Sequence, residues 1–293
     1  MKFNKDEIAL VINQDAKRVP KKMKALHRLA QEKKVKMRLC DGPDLDHELR
    51  EVLKNKHLKR LIIGGGDGTV SRAASLIYRK NPNVELAILP VGTANYYARS
   101  LGLKRNVIHA FNVALEDKVE PRHICKVNKQ YFLIGVNVGT ASRMFNEVTD
   151  EEKKRFGKLA YLGGVLRILL SVKQNDLVIK ANGKTRNYAF TELVILNQKL
   201  AEPVKLTPDV KGTDPYFEII TYGLGKNKLS PLFAIVMYII TFGRSQKYLK
   251  RIKTTEATIE SDSDLPVAVD GDVLESLPLK ITLIKKPVQF VRN

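Results

Sequence analysis

The stretch "LIIGGGDGTVSRAASLI", residues 61–77, decides the fold. The apolar run from Leu61 to Ile63 is typical of a buried strand, and three glycines follow it directly. The apolar residues beyond the glycines recur at helical spacing: Val70, Ala73, Ala74 and Ile77. The pattern therefore predicts a strand, a tight glycine turn and a helix in succession.

The glycine turn predicts a phosphate site. In open α/β sheets ligands bind at the carboxyl ends of the strands, where Gly64, Gly65 and Gly66 stand. A helix N-terminus supplies unpaired N–H donors and positive dipole character, which favour phosphate. A carboxylate at Asp67 repels phosphate unless a cation or a sugar hydroxyl mediates, so the stretch suggests a nucleotide with a metal ion. The alternative is an ordinary strand-to-helix turn in which Asp67 is the N-cap.

A second turn repeats the design one strand later, in "LAILPVGTANYYARSLGL", residues 86–103. Residues 86–89 are predicted as a strand and Pro90 to Thr93 as the turn. The predicted helix that follows has one apolar face and ends at Gly102; the face comprises Ala94, Tyr97, Ala98 and Leu101. Two such turns at the same sheet edge are suited to enclose one ligand.

The rest of the chain changes character near residue 124. Before it, strand and helix patterns alternate, which predicts a parallel sheet with helices on both faces. After it, strand patterns dominate, with a hairpin turn at Asn182-Gly183 and two helical stretches, about 150–172 and 229–250. The later strands are predicted in "YFLIGVNV" (131–138), "DLVIKANGKTRNYAFTELVIL" (176–196), "PYFEIITYG" (215–223), "TEATIE" (255–260), "LPVAVDGD" (265–272) and "LKITLIKKPVQFV" (279–291).

The formal charge of +20 indicates an anionic partner, which could be nucleic acid, a membrane surface or a phosphorylated substrate. The alternative is a solvated lysine-rich surface. Basic clusters occupy residues 16–24 and 243–253, and the second follows an apolar run at 229–242. That run holds about 14 residues where a spanning helix needs about 20, so it predicts a buried or interfacial helix. Two cysteines and a charged start favour a reducing cytosol over a secreted protein.

Four blocks together resemble the diacylglycerol kinase catalytic domain. They are "GGGDGT" (64–69), "PVGTANYYARSLGL" (90–103), "DPYFEI" (214–219) and "VAVDGDVLE" (267–275). This family includes bacterial soluble lipid kinases and sphingosine kinases, and the first turn is more distantly similar to that of NAD kinases. The resemblance implies an α/β kinase domain at 1–124 with an open, mainly parallel sheet, a β-rich sandwich domain at 125–287 on the lipid side of a cleft, and a last strand near 288–293 that returns to the first domain.

The resemblance also implies roles for single residues. ATP would be bound by residues of both turns and by the end of the second strand: Cys40, Gly64, Gly65, Gly66, Asp67, Gly68, Thr69, Val70, Ser71 and Thr93. Asp270 would be the general base, beside Asp272, which replaces the usual glutamate. Asp214 would bind Mg²⁺ with the backbone carbonyls of Lys211 and Tyr216, a set of oxygen ligands that suits a hard ion. The alternative for Asp270–Asp272 is a polar hairpin turn.

Three departures from the family pattern stand out. Arg72 occupies a position that is usually glutamate, Tyr96 one that is usually aspartate, and the usual Asn-Pro motif is replaced by "NQDAKR" after Ile12. The first hypothesis is a cytoplasmic ATP- and Mg²⁺-dependent lipid kinase, peripheral to an anionic membrane and acting on a diacylglycerol-like substrate, with no nucleic-acid partner and a homodimer left open. The others are a catalytically weak lipid- or nucleotide-binding regulator, and a kinase for a small soluble alcohol, including NAD.

Overall fold

The computed structural model describes residues 4, 7–16, 23–139, 175–190, 192–198, 210–222 and 249–293. The chain divides into two compact units. The first unit comprises Met1–Ile124, Gly212–Asp214 and Ile284–Asn293, and the second comprises Cys125–Lys211 and Pro215–Leu283. The helix predicted at 150–172, the apolar run at 229–242 and most of both basic clusters lie outside the described residues.

Helices and strands alternate in the first part of the chain. Their bounds are β1 (Ile8–Asn13), α1 (Met23–Glu32), β2 (Lys36–Cys40), α2 (Leu45–Leu53), β3 (Arg60–Gly65), α3 (Asp67–Lys80), β4 (Glu85–Pro90), α4 (Tyr96–Ser100), α5 (Val107–Val113) and β5 (Val119–Arg122). Strands alone follow among the described residues. They are β6 (Cys125–Val127), β7 (Gln130–Phe132), β8 (Gly135–Gly139), β9 (Asn175–Ala181), β10 (Lys184–Phe190), β11 (Glu192–Leu196), β12 (Phe217–Tyr222), β13 (Leu249–Thr254), β14 (Glu256–Glu260), β15 (Val267–Val269), β16 (Asp272–Glu275), β17 (Leu279–Leu283) and β18 (Val288–Val291).

The sheet of the first unit has the order β2-β1-β3-β4-β18-β5. Its pairs are parallel except the last, in which β18 and β5 run antiparallel. Ile12 pairs with Gly64, and Gly64 pairs with Leu89, so β1, β3 and β4 end nearly level. This register brings the loops after all three strands to one edge of the sheet, where an open α/β fold binds its ligands.

The apolar faces of the helices cover this sheet as their spacing predicts. The predicted core positions of α3 are all buried, and so are the apolar residues of α2, which are Leu45, Leu49, Val52 and Leu53. The helix predicted from Ala94 is shorter than expected and begins at Tyr96, because Asn95 adopts left-handed backbone geometry with φ of 52°. A residue in that conformation interrupts a right-handed helix, so the loop after β4 extends to Asn95.

The second unit is a sandwich of two sheets. One has the order β10-β9-β14-β17-β6-β7 and the other β13-β12-β11-β8-β15-β16. Residues from both sheets form one hydrophobic cluster, which includes Phe132, Phe190 and Leu177 from the first sheet and Phe217 and Val136 from the second. The predicted fold class, an α/β domain with a mainly parallel sheet and a β-rich sandwich, is confirmed.

One strand prediction and one helix prediction need correction. The run 131–138 forms two strands, β7 and β8, which belong to different sheets. The run 279–291 splits into β17 in the sandwich and β18 in the first unit's sheet, which agrees with the expected return of the last strand. The helix predicted to reach residue 250 is wrong at its end, because Leu249 already begins strand β13, which pairs with β12. Continuous hydrophobicity marks burial but does not show where a chain crosses from one sheet to another.

The hairpin predicted at Asn182-Gly183 is confirmed. These two residues join β9 to β10 with φ values of 52° and 68°. Positive φ at both central positions is the geometry of a type I′ turn, which matches the twist of the strands and favours Asn-Gly.

Candidate active site

Helix α3 begins directly at the glycine turn. Gly66 is its N-cap, and no side chain caps the helix there. The first helical hydrogen bond runs from the Val70 N–H to the Gly66 carbonyl at 3.0 Å, so the amides of Asp67, Gly68 and Thr69 precede the helical ladder. These N–H groups are the cluster of hydrogen-bond donors that the sequence predicts as a phosphate site.

Packing requires glycine at position 65. A Cβ atom there would lie 2.3 Å from Cγ2 of Thr69, far inside van der Waals contact. The first turn of α3 therefore folds back on the end of β3 with no room for a side chain. This glycine is explained by the turn itself, before any ligand is considered.

The two predicted loops touch each other through glycine. A Cβ on Gly92 would lie 2.3 Å from the Cα of Gly66. The loop that contains Gly92 is closed by Asn95, which is 2% exposed. The Asn95 side chain accepts from the Gly92 N–H at 3.0 Å and donates to the Gly92 carbonyl at 2.7 Å. The contact confirms the expectation that the two turns meet at one sheet edge.

Substitution of these two glycines should have unequal effects. We expect Gly92→Ala to lower the free energy of unfolding by about 1–3 kcal/mol, because the new methyl group meets backbone that only a chain shift can move. Gly66→Ala is the matched control, since its Cβ would lie at an ordinary 3.5 Å from the Cα of Gly92. Urea unfolding of both variants measures the difference. Equal stability of the two variants would contradict the close approach.

Asp67 joins the two loops. Its Oδ2 accepts from the Tyr96 N–H at 3.1 Å, and its Oδ1 accepts from the Tyr97 N–H at 2.9 Å. These are the first two residues of α4, so the carboxylate caps that helix from outside, and the dipole of the helix favours the negative charge. Asp67 is thus neither the N-cap of its own helix nor a carboxylate left unpaired among phosphates.

Asn13, at the end of β1, is a site residue that the sequence did not single out. Its Nδ2 donates to Thr69 Oγ1 at 3.2 Å, and its Oδ1 accepts from the Asp15 N–H at 3.1 Å. The contact links the end of β1 to the first turn of α3. An asparagine immediately after an apolar strand, at the same sheet edge as the glycine turn, is the signal that points to it.

Arg72 is held by the loop after β2. Its Nε donates to Asp46 Oδ1 at 2.9 Å and its Nη1 donates to the Gly42 carbonyl at 3.2 Å. The Gly42 N–H donates in turn to Asp15 Oδ2 at 2.7 Å. The residue that replaces the family's usual glutamate therefore positions the β2–α2 loop at the edge where the nucleotide is expected.

Cys40 ends β2 as a buried thiol. Its Sγ donates to the Ile12 carbonyl at 3.6 Å. Burial raises the pKa of the Cys40 thiol to about 11, and the carboxylates of Glu48 and Asp41 add to the effect. Burial also raises the pKa of Cys125, whose Sγ donates to Asn197 Oδ1 at 3.3 Å. Both thiols are therefore protonated at neutral pH.

We expect Cys40 to resist alkylation in the folded protein. With the pKa at about 11 against an ordinary 9.0, the thiolate fraction at pH 8 falls about 100-fold, and burial slows the reaction further. Iodoacetamide labelling followed by mass spectrometry measures this, with the urea-unfolded chain as the positive control. Because the folded pKa is raised, this proton stabilises the fold fully below pH 9 and progressively less as the pH rises toward 11. Labelling of the native Cys40 thiol at the unfolded rate would contradict the assignment.

The other predicted nucleotide residues differ in exposure. Gly64 is buried within β3, and the side chains of Val70 and Ser71 are buried under α3. Thr93 is exposed in the loop after β4. The structure thus brings together Gly64 to Ser71 with the loop that carries Thr93, and it adds Asn13 and Asn95 to that group.

Asp270 lies in the second unit, in a two-residue turn between β15 and β16. Its φ of 50° and the φ of 98° at Gly271 fit a type I′ hairpin. Its Oδ1 accepts from the N–H groups of Ile134 and Gly135 at 2.9 and 3.0 Å, and its Oδ2 accepts from Leu133 N–H at 2.9 Å. The carboxylate is therefore fixed by at least three backbone donors, which favour its ionised form.

These bonds explain how the chain crosses between sheets. Leu133 and Ile134 are buried where β7 ends and β8 begins in the other sheet. Their N–H groups donate to Asp270, and their carbonyls accept from Asn197 at 2.9 Å. Buried backbone groups need such partners. Asp272, by contrast, is exposed at the start of β16.

The predicted metal ligands lie in a stretch of turns before β12. Asp214 is half-buried, Lys211 is exposed, and Tyr216 accepts a 2.9 Å hydrogen bond from Lys253 Nζ. The neighbouring Gly212 carbonyl accepts from the His123 N–H at 2.7 Å. In the part of the chain that the structure describes, no group of three or more His, Cys, Asp or Glu side chains is arranged to hold a metal ion.

Residues 7–127 match the model of the diacylglycerol kinase catalytic domain, which covers β1 to β6 and both loops. The resemblance to the diacylglycerol kinase catalytic domain is thereby confirmed for this segment. A diacylglycerol kinase of Staphylococcus aureus (strain JH9) is 29% identical over 231 residues, which are 78% of this chain and 72% of that protein. The expected enzyme class, a kinase of the diacylglycerol kinase type, is confirmed.

The fold of this chain is shared with a solved structure. The crystal structure of a diacylglycerol kinase from Bacillus anthracis str. Sterne superposes with a TM-score of 0.79 at 21% identity. The superposition covers 100% of this chain and 98% of the Bacillus anthracis chain. At that identity the likeness establishes the fold, and the chemistry has to be argued from the residues.

Proposed function

We propose that this kinase transfers the γ-phosphate of ATP to the hydroxyl of a diacylglycerol-like lipid at a membrane surface. The observation that carries the proposal is the pair of loops after β3 and β4, which meet through Gly66 and Gly92 and are joined by Asp67. This arrangement leaves the first amides of α3 to bind phosphate. The name of the Staphylococcus aureus relative supports the choice of a diacylglycerol-like acceptor.

Magnesium is the proposed cofactor. The ligands we propose are the Asp214 carboxylate and the backbone carbonyls of Lys211 and Tyr216, all of them oxygen atoms, and hard divalent ions prefer oxygen. The donor set therefore fits Mg²⁺. When bound, such an ion neutralises negative charge on the phosphates. The role of Asp214 in this chain is to supply the anionic ligand.

Asp270 is the proposed general base. The three N–H donors hold its carboxylate in one position and favour the ionised form, which a base requires. Phosphoryl transfer has a loose transition state with little nucleophile activation, so a weak but well-positioned carboxylate is adequate. Its task is to accept the proton of the lipid hydroxyl.

The direct test is phosphate transfer from labelled ATP to a panel of lipid alcohols in mixed micelles, with and without magnesium. We expect a labelled product with a diacylglycerol, and none once the metal is chelated. A free soluble alcohol or NAD serves as the competing acceptor. Labelling of that acceptor alone would overturn the lipid assignment.

Attachment to the membrane is proposed to be electrostatic. Of the basic cluster at 243–253, the described part lies on β13, where Arg251 pairs with Glu218 and Lys253 contacts Tyr216. Lys250 is exposed. No helix among the described residues is both long enough and apolar enough to span a bilayer.

We therefore expect binding to anionic vesicles that weakens as salt is added, because salt screens charge attraction. Co-sedimentation with vesicles of phosphatidylglycerol measures it, with neutral phosphatidylcholine vesicles as the control. Equal, salt-independent binding to both kinds of vesicle would contradict electrostatic attachment.

A regulatory function is the second candidate. The observation that favours it is Arg72, which is engaged by Asp46 and Gly42 where the family usually has an acid. A protein of this kind would bind nucleotide and lipid and show no turnover. Calorimetric binding of ATP, measured beside the micelle assay, separates the two candidates.

A further inference from the structure

A groove of about 610 Å³ lies along α2 and the C-terminal end of α3 in the first unit. We name it the α2–α3 groove. The residues that line it are His47, Arg50, Glu51, Leu53, Lys54, Lys56, Lys80 and Asn81. Four lysine or arginine side chains thus face a space that holds a single carboxylate, and its volume falls in the usual range for small-ligand sites, about 300–1,000 Å³.

The charges in this groove are not balanced by the protein. Glu51 is committed to Lys54, with Nζ and Oε1 at 2.5 Å. Arg50, Lys56 and Lys80 are exposed and form no ion pair with a carboxylate of the described chain. Cations gathered in a concave site repel one another, and a bound anion relieves that repulsion.

The remaining acids of α2 are used on other sides of the helix. Asp46 pairs with Arg72 at 2.9 Å, and Glu48 pairs with Arg38 at 3.1 Å. Most other arginines of this unit likewise have a carboxylate partner. The groove side of α2 therefore differs from the other sides of the helix, because it carries positive charge without a carboxylate partner.

The groove is remote from the nucleotide loops. Parallel strands send the following helices back across the sheet, so α3 begins at the glycine turn and ends at the opposite edge. A helix of 14 residues is about 21 Å long. Lys80 and Asn81 at its far end therefore belong to a separate site.

We propose that the α2–α3 groove binds a small soluble anion with two or more phosphate groups. Arginine binds phosphate through two parallel hydrogen bonds, and lysine adds point charges, so Arg50 with Lys56 and Lys80 forms a suitable set. The lining also includes buried Leu53 and half-buried Asn81, so the groove is a concave surface and not a flat one. A recess suits a compact polyanion better than the plane of a bilayer.

The test uses inorganic pyrophosphate and the full chain labelled with ¹⁵N. We expect pyrophosphate to shift the amide resonances of Lys54, Lys80 and Asn81 with a midpoint of their own, apart from any shifts at Gly64 to Thr69. The groove variant Arg50→Gln/Lys56→Gln/Lys80→Gln should weaken binding at this site by about tenfold or more, since charge-assisted hydrogen bonds to phosphate are lost.

The matched control is Lys24→Gln/Lys33→Gln/Lys36→Gln, which removes the same charge from exposed positions on α1 and near β2. It should retain the parental midpoint. Equal weakening in both variants would reduce the effect to overall charge and overturn the proposal. Parental binding in the groove variant would also overturn it. A third result would overturn it as well: pyrophosphate causes no shifts, and only the groove variant loses binding to phosphatidic acid vesicles. The groove would then be a membrane contact.

Discussion

Asp67→Ala should abolish most nucleotide turnover while the protein remains folded. The substitution removes the acceptor for two backbone N–H groups of α4 and so releases the loop after β4 from the loop after β3. The part-buried N–H of Tyr97 left without its partner costs about 1–3 kcal/mol. Misplacement of catalytic groups by about 1 Å can cost about 10²-fold in rate, so we expect a loss of at least that size in kcat/KM.

Two further variants test whether the lost hydrogen bonds of Asp67 cause the loss of turnover. Asp67→Asn keeps one acceptor oxygen and should be intermediate. Asp44→Ala removes an exposed acid at the start of α2 that makes no side-chain cap bond, and it should behave as the parent. Circular dichroism and urea unfolding verify the fold. Parental turnover in Asp67→Ala would show that the carboxylate does not hold the site together.

Asp270→Asn should lower kcat by about 10²–10⁴-fold, the usual contribution of a general base, and leave nucleotide affinity unchanged. The substitution is not structurally silent. An asparagine has one acceptor oxygen, so its NH₂ group would face the Leu133 N–H that now donates to Oδ2. The unfolding free energy should therefore also fall, by about 1–3 kcal/mol.

Gly271→Ala separates the chemical role from the structural one. Gly271 has a φ of 98° and open space around its Cβ position, so alanine strains the same turn without contacting the carboxylate. We expect it to cost about 1–2 kcal/mol of stability and to leave most of kcat. If Gly271→Ala and Asp270→Asn reduce kcat equally, Asp270 only shapes the turn. Steady-state kinetics and urea unfolding of both variants decide the question.

Periodicity predicted the elements of the first unit well because each helix hides one face and each strand is buried. The faces of α2 and α3 follow directly from their apolar spacing. The run at 131–138 was mistaken for one strand because both halves are apolar. The chain crosses from one sheet to the other at Leu133, whose N–H donates to the carboxylate of Asp270. That contact joins residues far apart in the sequence, so hydrophobicity alone does not predict it.

The candidate site was predictable to the extent that it depends on local geometry. A glycine turn before a helix is a local signal, so the turn at Gly64 to Gly66 and the start of α3 could be predicted from sequence. The tie between Asp67 and α4, and that between Asn13 and Thr69, join residues distant in sequence. Such contacts depend on strand order and register, which a single sequence does not state.

The placement of β18 bears on how the protein is made. This strand sits between β4 and β5, and Phe290 is fully buried there. A ribosome synthesises β4 and β5 long before β18, with the entire sandwich unit in between. The nascent first unit must therefore wait with a gap in its sheet, and the apolar edge of β4 stays open to chaperones and to aggregation in the meantime. Completion of the first unit is thereby coupled to translation of the sandwich.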